Sequence, residues 1–394
     1  MVLLAAVGIS HGLDVFVLFF GFTSFVSGLV GICVVTNLTP VMARSNDPDK
    51  SLTFTLEGIK TGAFLTIVAW IGCFTYARFA LAGGADALSY SLAFLLPLTV
   101  LFSVTAEYHV ALFLSSDRQV PVIFGNILIS LPLVVLMMAF DISLNVYAIL
   151  LVLAFALRSV IFFVLLYKPP GARFSLRAAL RSKPLVLDNA RQVLSGSSAM
   201  LAYSLASLLA LAVAHRLGEG AATLLGYALK IPLLILTSLW FALGARFFSR
   251  IVQDDGAGAT HLMLRLTGLN IAVAAIVALF AGLTRWALHM HEAALDGVML
   301  DFVRIISASL PLLPIIVFVP IIEMSQRTLV TWGNHDRVPL MASVILGFSC
   351  LGFSIALAYQ SMLAIMLGLA GALMIGAMVS LKCMKSAAEH KANG

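Results

Sequence analysis

The feature that most constrains this chain is a succession of long apolar runs with almost no charge inside them. They cover about 15 to 41, 53 to 79, 88 to 114, 120 to 141 and 145 to 167, then 195 to 215, 222 to 245, 263 to 284, 303 to 325, 339 to 358 and 361 to 381. A helix needs about 20 apolar residues to cross a hydrocarbon layer of roughly 30 Å, and each run supplies about that length. None alternates polar and apolar residues at a period of two, so spanning helices are expected rather than a barrel. Composition agrees: 61% of residues are apolar, 11% are charged and mean hydropathy is +1.06, too few charges for a surface that meets water everywhere. The sequence therefore predicts an all-α, polytopic membrane helical bundle with no separate catalytic domain.

Residues 1 to 10, MVLLAAVGIS, are too short for a span and lack the positive flank of a secretion signal, so they read as the distal part of an incomplete first helix or as a short re-entrant start. Counting it, the spans divide six and six about the basic stretch KPPGARFSLRAALRSKPLVLDNARQ. The expected organisation is an N-terminal bundle over 1–167, a basic cytoplasmic interfacial linker over 168–192 and a C-terminal bundle over 193–394. In the linker, Leu176, Leu180 and Leu185 can touch the membrane interface while Arg173, Arg177 and Arg181 meet anionic membrane lipids.

Charge asymmetry tests the span assignment independently. One set of alternate loops holds Arg44, Lys50, Arg118, Lys168, Arg173, Arg177, Arg181, Lys183, Arg191, Arg246, Arg250, Arg327, Arg337, Lys382, Lys385 and Lys391; the other holds only Arg78, Arg216, Arg285 and Arg304. The richer side is the cytoplasmic one, which places the C-terminus in the cytoplasm of a multi-pass protein of the cytoplasmic (inner) membrane. The same bias accounts for the formal charge of +6. Aromatic and basic residues do not interleave, and no nucleic-acid motif occurs, so nucleic acid is not an expected partner. Cys33, Cys73, Cys350 and Cys383 are far apart and read as packing residues. Nucleotide loops, metal-protease motifs and nucleophile elbows are lacking, so an enzyme is not expected, and neither a metal nor an organic cofactor is called for.

Charged residues inside spans are costly and call for a cavity or a partner. Lys230 stands about 12 Å into its span at the helical rise per residue, two positions before Pro232, and is a candidate anion contact or a structural ion-pair member. Arg158 either joins such a site or snorkels to the interface. Glu107 heads Glu107-Tyr108-His109, which reads as a protonatable cluster or a satisfied polar one, and is a candidate ion-coupling group. Glu57 is a second, although Lys60 on the same helical face can neutralise it. Asp14 is placed to cap the first complete helix and is, with Lys230 and Arg158, a candidate substrate-binding residue. Pro311, Pro314 and Pro320 crowd one span and, with Pro232, are candidate gating hinges.

Two stretches carry a family resemblance. VLLAAVGISHGLDVFVLFFGF near the start, and SLASLLALAVAHRLGEGAATLLGYALKIPLLILTSLWFALGARFFSRI in the second half, resemble the multidrug/oligosaccharidyl-lipid/polysaccharide flippase superfamily. The nearer resemblance is to the branch of the lipid II flippase MurJ and the sugar-repeat-unit flippases, over nearly the whole chain. It implies two six-helix halves around a V-shaped cavity, Asp14 on the family's aspartate and Lys230 where the lipid II branch carries a cavity arginine. Ser27 and Gly28 stand where that branch has an arginine pair. The implied function is flipping of a polyprenyl-diphosphate-linked glycan by alternating access, with Lys230 and Arg158 on the diphosphate, H+ or Na+ coupling, and glycan-assembly membrane enzymes as partners. An ion-coupled exporter of amphipathic small molecules, or a non-transporting degenerate scaffold, are the alternatives.

Overall fold

The computed structural model describes residues 10–44, 50–79, 86–115, 120–140, 142–166, 190–236, 259–290 and 297–393. Residues 1–9, and 168–189 of the expected linker, lie outside this set. The described residues are helical almost throughout, in two compact units, His11–Val193 and Leu194–Gly394.

The first unit contains α1 (His11–Arg44), α2 (Lys50–Phe79), α3 (Ala87–Leu95), α4 (Leu98–Ser115), α5 (Val120–Ala139) and α6 (Leu144–Leu166). The second contains α7 (Ala190–Leu217) beyond its first turn, α8 (Ala221–Leu236), α9 (Ala259–His289), α10 (Gly297–Ser309), α11 (Ile315–Thr331), α12 (Val338–Tyr359) and α13 (Met362–Asn393). Among the described residues, eight helical segments are long and apolar enough to cross a membrane, and the bent pair α10 and α11 makes a ninth. The protein is thus a multi-pass membrane bundle. Of the expected runs, 120 to 141 is the uncharged α5, and 222 to 245 is described only as far as the end of α8.

The run at 88 to 114 is one span, Ala87–Phe113, with a local interruption of its helical ladder between the end of α3 at Leu95 and the start of α4 at Leu98. Pro97 has no N–H to return to the Ala93 carbonyl, so the ladder is interrupted there. At the other end of α3, Asp86 is the N-cap: its Oδ1 accepts the Ser89 N–H at 2.7 Å and the Ser89 hydroxyl at 2.6 Å.

In the first unit α4 is the axis, packed against α1, α2 and α6. Val100, Val104, Tyr108 and Ala111 of α4 are buried with Val26, Val30 and Val34 of α1 and Phe54 and Ala69 of α2. Gly58 and Gly62 let α2 approach α4 closely, since a Cβ on Gly62 would stand 2.8 Å from the Leu101 carbonyl oxygen.

In the second unit α12 turns into α13 through Gln360, whose left-handed φ of 49° closes the helix end. The two helices then cross at Gly352 and Gly368, where a Cβ on Gly352 would meet the Gly368 Cα at 2.5 Å. Arg337 ties the start of α12 to α13 by donating to the Cys383 carbonyl at 3.1 Å. Between α10 and α11 the axis bends by 44°, at a 3-10 turn over Leu310–Leu312. Pro311 lies in that turn and Pro314 caps α11, while Pro320 sits inside the continuous α11.

Two outcomes follow from this packing. Gly352→Leu forces the α12–α13 crossing apart and is expected to cost about 2 kcal/mol. Gly347→Leu, on the same helix where an added Cβ meets nothing within 4 Å, is the control; thermal unfolding in detergent compares them. For Asp86, the hydrogen bonds from Ser89 stabilise the charged form and hold its carboxyl below the usual carboxylate range. A carboxylate depressed on folding stabilises at pH values above its unfolded pKa, about 3.9, and loses that contribution as pH falls through the folded value. Asp86→Asn keeps a cap without this titration, so its stability difference from the parent should shrink in acid.

Candidate functional site

Within the first unit, α1, α4 and α6 enclose a cavity of about 250 Å³. From α1 it is lined by Phe20, Ser24, Ser27 and Gly28, which recur at helical spacing on one face. From α4 it is lined by Thr99, Ser103 and Glu107, four residues apart in turn, and α6 contributes Phe155. Glycine at position 28 keeps the space open, for a Cβ there would meet no atom within 4 Å.

Glu107 is the charged residue of this lining, and its partner is Arg158, with Nη2 at 3.6 Å from Oε1. The arginine side chain is 7% exposed and lies over the Phe162 ring at 5.2 Å, whereas the glutamate side chain keeps 24% of its surface and so reaches the cavity. An isolated carboxylate here would lose its hydration at a cost of several kcal/mol; the guanidinium offsets that without closing over it. Gly31 sits opposite, and its Cβ would stand 3.1 Å from Glu107 Cγ.

Two of the lining hydroxyls share a polarity. Ser27 donates to the Ser24 carbonyl at 3.1 Å and Thr99 to the Leu96 carbonyl at 2.6 Å. With their protons committed to their own helices, these oxygens offer lone pairs to the cavity. The lining therefore combines acceptors, a carboxylate and the aromatic rings of Phe20 and Phe155.

The expected Glu107-Tyr108-His109 cluster does not form, because successive helical residues point about 100° apart. Glu107 turns to α6, while Tyr108 stands 3.4 Å from the Thr61 hydroxyl and His109 Nε2 is 2.8 Å from Thr55 Oγ1, both on α2. Glu57 is buried on α2. Asp14 is not a cap: α1 already begins at His11, and Asp14 is fully buried in its first turn. Lys230 belongs to the second unit, exposed on α8, with its ammonium 4.7 Å from the ring centre of Tyr227 one turn earlier. Pro232 lies within α8, which stays helical through it. Of the charged residues singled out, the structure thus joins Glu107 to Arg158. Ser24, Thr99 and Ser103 were not singled out; the four-residue spacing of Thr99, Ser103 and Glu107 was their visible signal. Among the described residues no group of three or more His, Cys, Asp or Glu side chains converges on a metal position.

No family model matches the chain, and no curated protein matches it in sequence. Solved structures do match in shape along nearly its whole length. An outward-facing multidrug resistance MATE family transporter of the MOP superfamily aligns with a TM-score of 0.67 and 18% identity, over 99% of this chain and 89% of that one. The fold is that of MOP-superfamily transporters. The lipid II flippase MurJ in an inward closed conformation aligns with a TM-score of 0.69 and 16% identity, over 98% and 84% of the two chains. A MOP superfamily transporter from Pyrococcus furiosus gives 0.64 and 17%, over 97% and 87%. The MOP fold thus accounts for the all-α membrane architecture expected from the apolar runs.

Removing one member of the buried pair should be worse than removing both. Arg158→Leu leaves the Glu107 carboxylate uncompensated and is expected to cost about 3 kcal/mol, most of it recovered in Glu107→Gln/Arg158→Leu. Thermal unfolding of the three variants in one detergent measures this.

Proposed function

We propose that this protein is an ion-coupled exporter of amphipathic small molecules, working by alternating access and making or breaking no bond in its substrate. The observation that carries this reading is the cavity between α1, α4 and α6, where Glu107 faces hydroxyl acceptors and two aromatic rings. Such a lining suits a molecule with an apolar body and a donor-bearing or cationic head. Glu107, offset by Arg158 across 3.6 Å, is the group through which H+ or Na+ competes with substrate. The bundles over 1–167 and 193–394 are the two moving bodies. The bend at Pro311 and Pro314 supplies a hinge. The basic-loop bias sets the protein in the cytoplasmic membrane with its C-terminus inside.

A second reading keeps the lipid-linked glycan as substrate. It is favoured by Lys230, an exposed cation on an apolar helix, and by the shape match to a lipid II flippase. In that reading Lys230 contacts the diphosphate, and glycan-assembly enzymes supply the substrate. Ser27 and Gly28, rather than an arginine pair, in α1 weigh towards the exporter.

Proteoliposomes decide between them. With an imposed pH or Na+ gradient, the exporter reading expects accumulation of a fluorescent lipophilic cation. Glu107→Gln and Gly28→Leu should each reduce it by about tenfold or more, roughly 1.4 kcal/mol in the barrier, with unchanged elution as a folded protein. Lys230→Gln should leave it intact. Flipping of a labelled polyprenyl-diphosphate glycan that is lost in Lys230→Gln, with no cation transport, would reverse the assignment.

A further inference from the structure

The break between α3 and α4 is closed from outside its own backbone. Turn bonds from Thr99 N to the Leu96 carbonyl and from Val100 N to the Pro97 carbonyl, both 3.0 Å, restart the helix. The Phe94 carbonyl, one residue before α3 ends, accepts the indole N–H of Trp70 on α2 at 2.8 Å. The two rings also stack, with centroids 5.8 Å apart and planes at 13°. One turn along, Phe74 of α2 stacks on Tyr90 of α3 at 6.5 Å, so both pairs lie on the same two helix faces. A helix of nine residues is too short to hold its direction alone, so α3 takes its orientation from these contacts and its Asp86 cap.

The position of this break matters because α4 carries the cavity's polar row. Thr99 begins two residues after Pro97, and its hydroxyl donates to the Leu96 carbonyl within the break while its oxygen lines the cavity. Ser103 and Glu107 follow on the same face. A change in the angle or rotation at Leu96–Pro97 therefore turns all three side chains together.

We propose that Trp70 is a positioning residue: by taking the Phe94 carbonyl next to the proline break, it sets the register in which Thr99, Ser103 and Glu107 face the cavity. Trp70 lies outside the cavity lining, on the partly exposed side of α2, and acts through α3. Replacing the indole by a ring without a donor leaves the stack but frees the carbonyl in an apolar setting, where it seeks a new partner. Removing the proline lets the helix run on through position 97, so that the Leu98 N–H can take the Phe94 carbonyl and the indole donor becomes unnecessary.

The test is a double-mutant cycle on Trp70→Phe and Pro97→Ala, in full-length protein carrying Ser103→Cys and no other cysteine. Its readout is the rate of Ser103→Cys labelling by a small water-soluble thiosulfonate. Labelling needs no transported substrate, so it stands or falls separately from the exporter reading; cation accumulation is the second arm. Trp70→Phe is expected to change the labelling rate by about threefold or more, and to have no such effect when Pro97→Ala is present. Labelling at the parent rate in Trp70→Phe, or an equal change in both backgrounds, would overturn the proposal. Should Trp70→Phe fail to accumulate as folded protein, recovery of folded yield on adding Pro97→Ala supports it and absence of recovery overturns it.

Discussion

A carboxylate inside an apolar bundle is the constraint on which the first unit depends. Glu107 sits on α4, the helix enclosed by α1, α2 and α6, and burying that charge alone would cost several kcal/mol. Arg158 answers it from α6 at 3.6 Å, and Gly31 leaves room for its head on the α1 side. The pair is offset without being sealed, because the glutamate retains surface in the cavity while the arginine is covered. On the exporter reading, that asymmetry would let a partner ion or a cationic head approach the carboxylate without first displacing the guanidinium.

The rest of the unit keeps this arrangement in place by economical means. Gly58 and Gly62 bring α2 against α4, so the axis helix has little freedom to translate. A backbone irregularity lies at Leu96–Pro97, where side chains of Trp70 and Thr99 serve the Phe94 and Leu96 carbonyls. In the second unit the corresponding irregularity is the 44° bend at Pro311 and Pro314, while the α12–α13 crossing at Gly352 and Gly368 is close and regular. Each unit thus combines close glycine contacts with a proline break.

Hydropathy alone made the membrane class, the all-α content and most span positions legible, because the cost of an unpaired backbone group in hydrocarbon leaves helices as the solution for long apolar runs. The prolines at 311 and 314 likewise announced a break that the structure contains, since a missing N–H acts locally. Pro97 carried the same signal and was passed over inside the run at 88 to 114. Asp14 was misread as a cap because α1 starts four residues earlier than the apolar run suggests.

Which polar side chains meet was decided only in three dimensions. Glu107, Tyr108 and His109 are neighbours in the chain but face different helices, while Glu107 and Arg158, far apart in sequence, share an ion pair. The apolar pattern specifies that a helix is buried on several sides; it does not specify which neighbour lies on each side. That follows from how α1, α2 and α6 pack around α4, where close approach at glycines and the turn imposed by Pro97 select one rotation of the axis. The sequence by itself determined the solvent and the secondary structure, through local and additive costs. The tertiary structure determined the site, because a charge in an apolar bundle is tolerated only where packing happens to bring its counterpart.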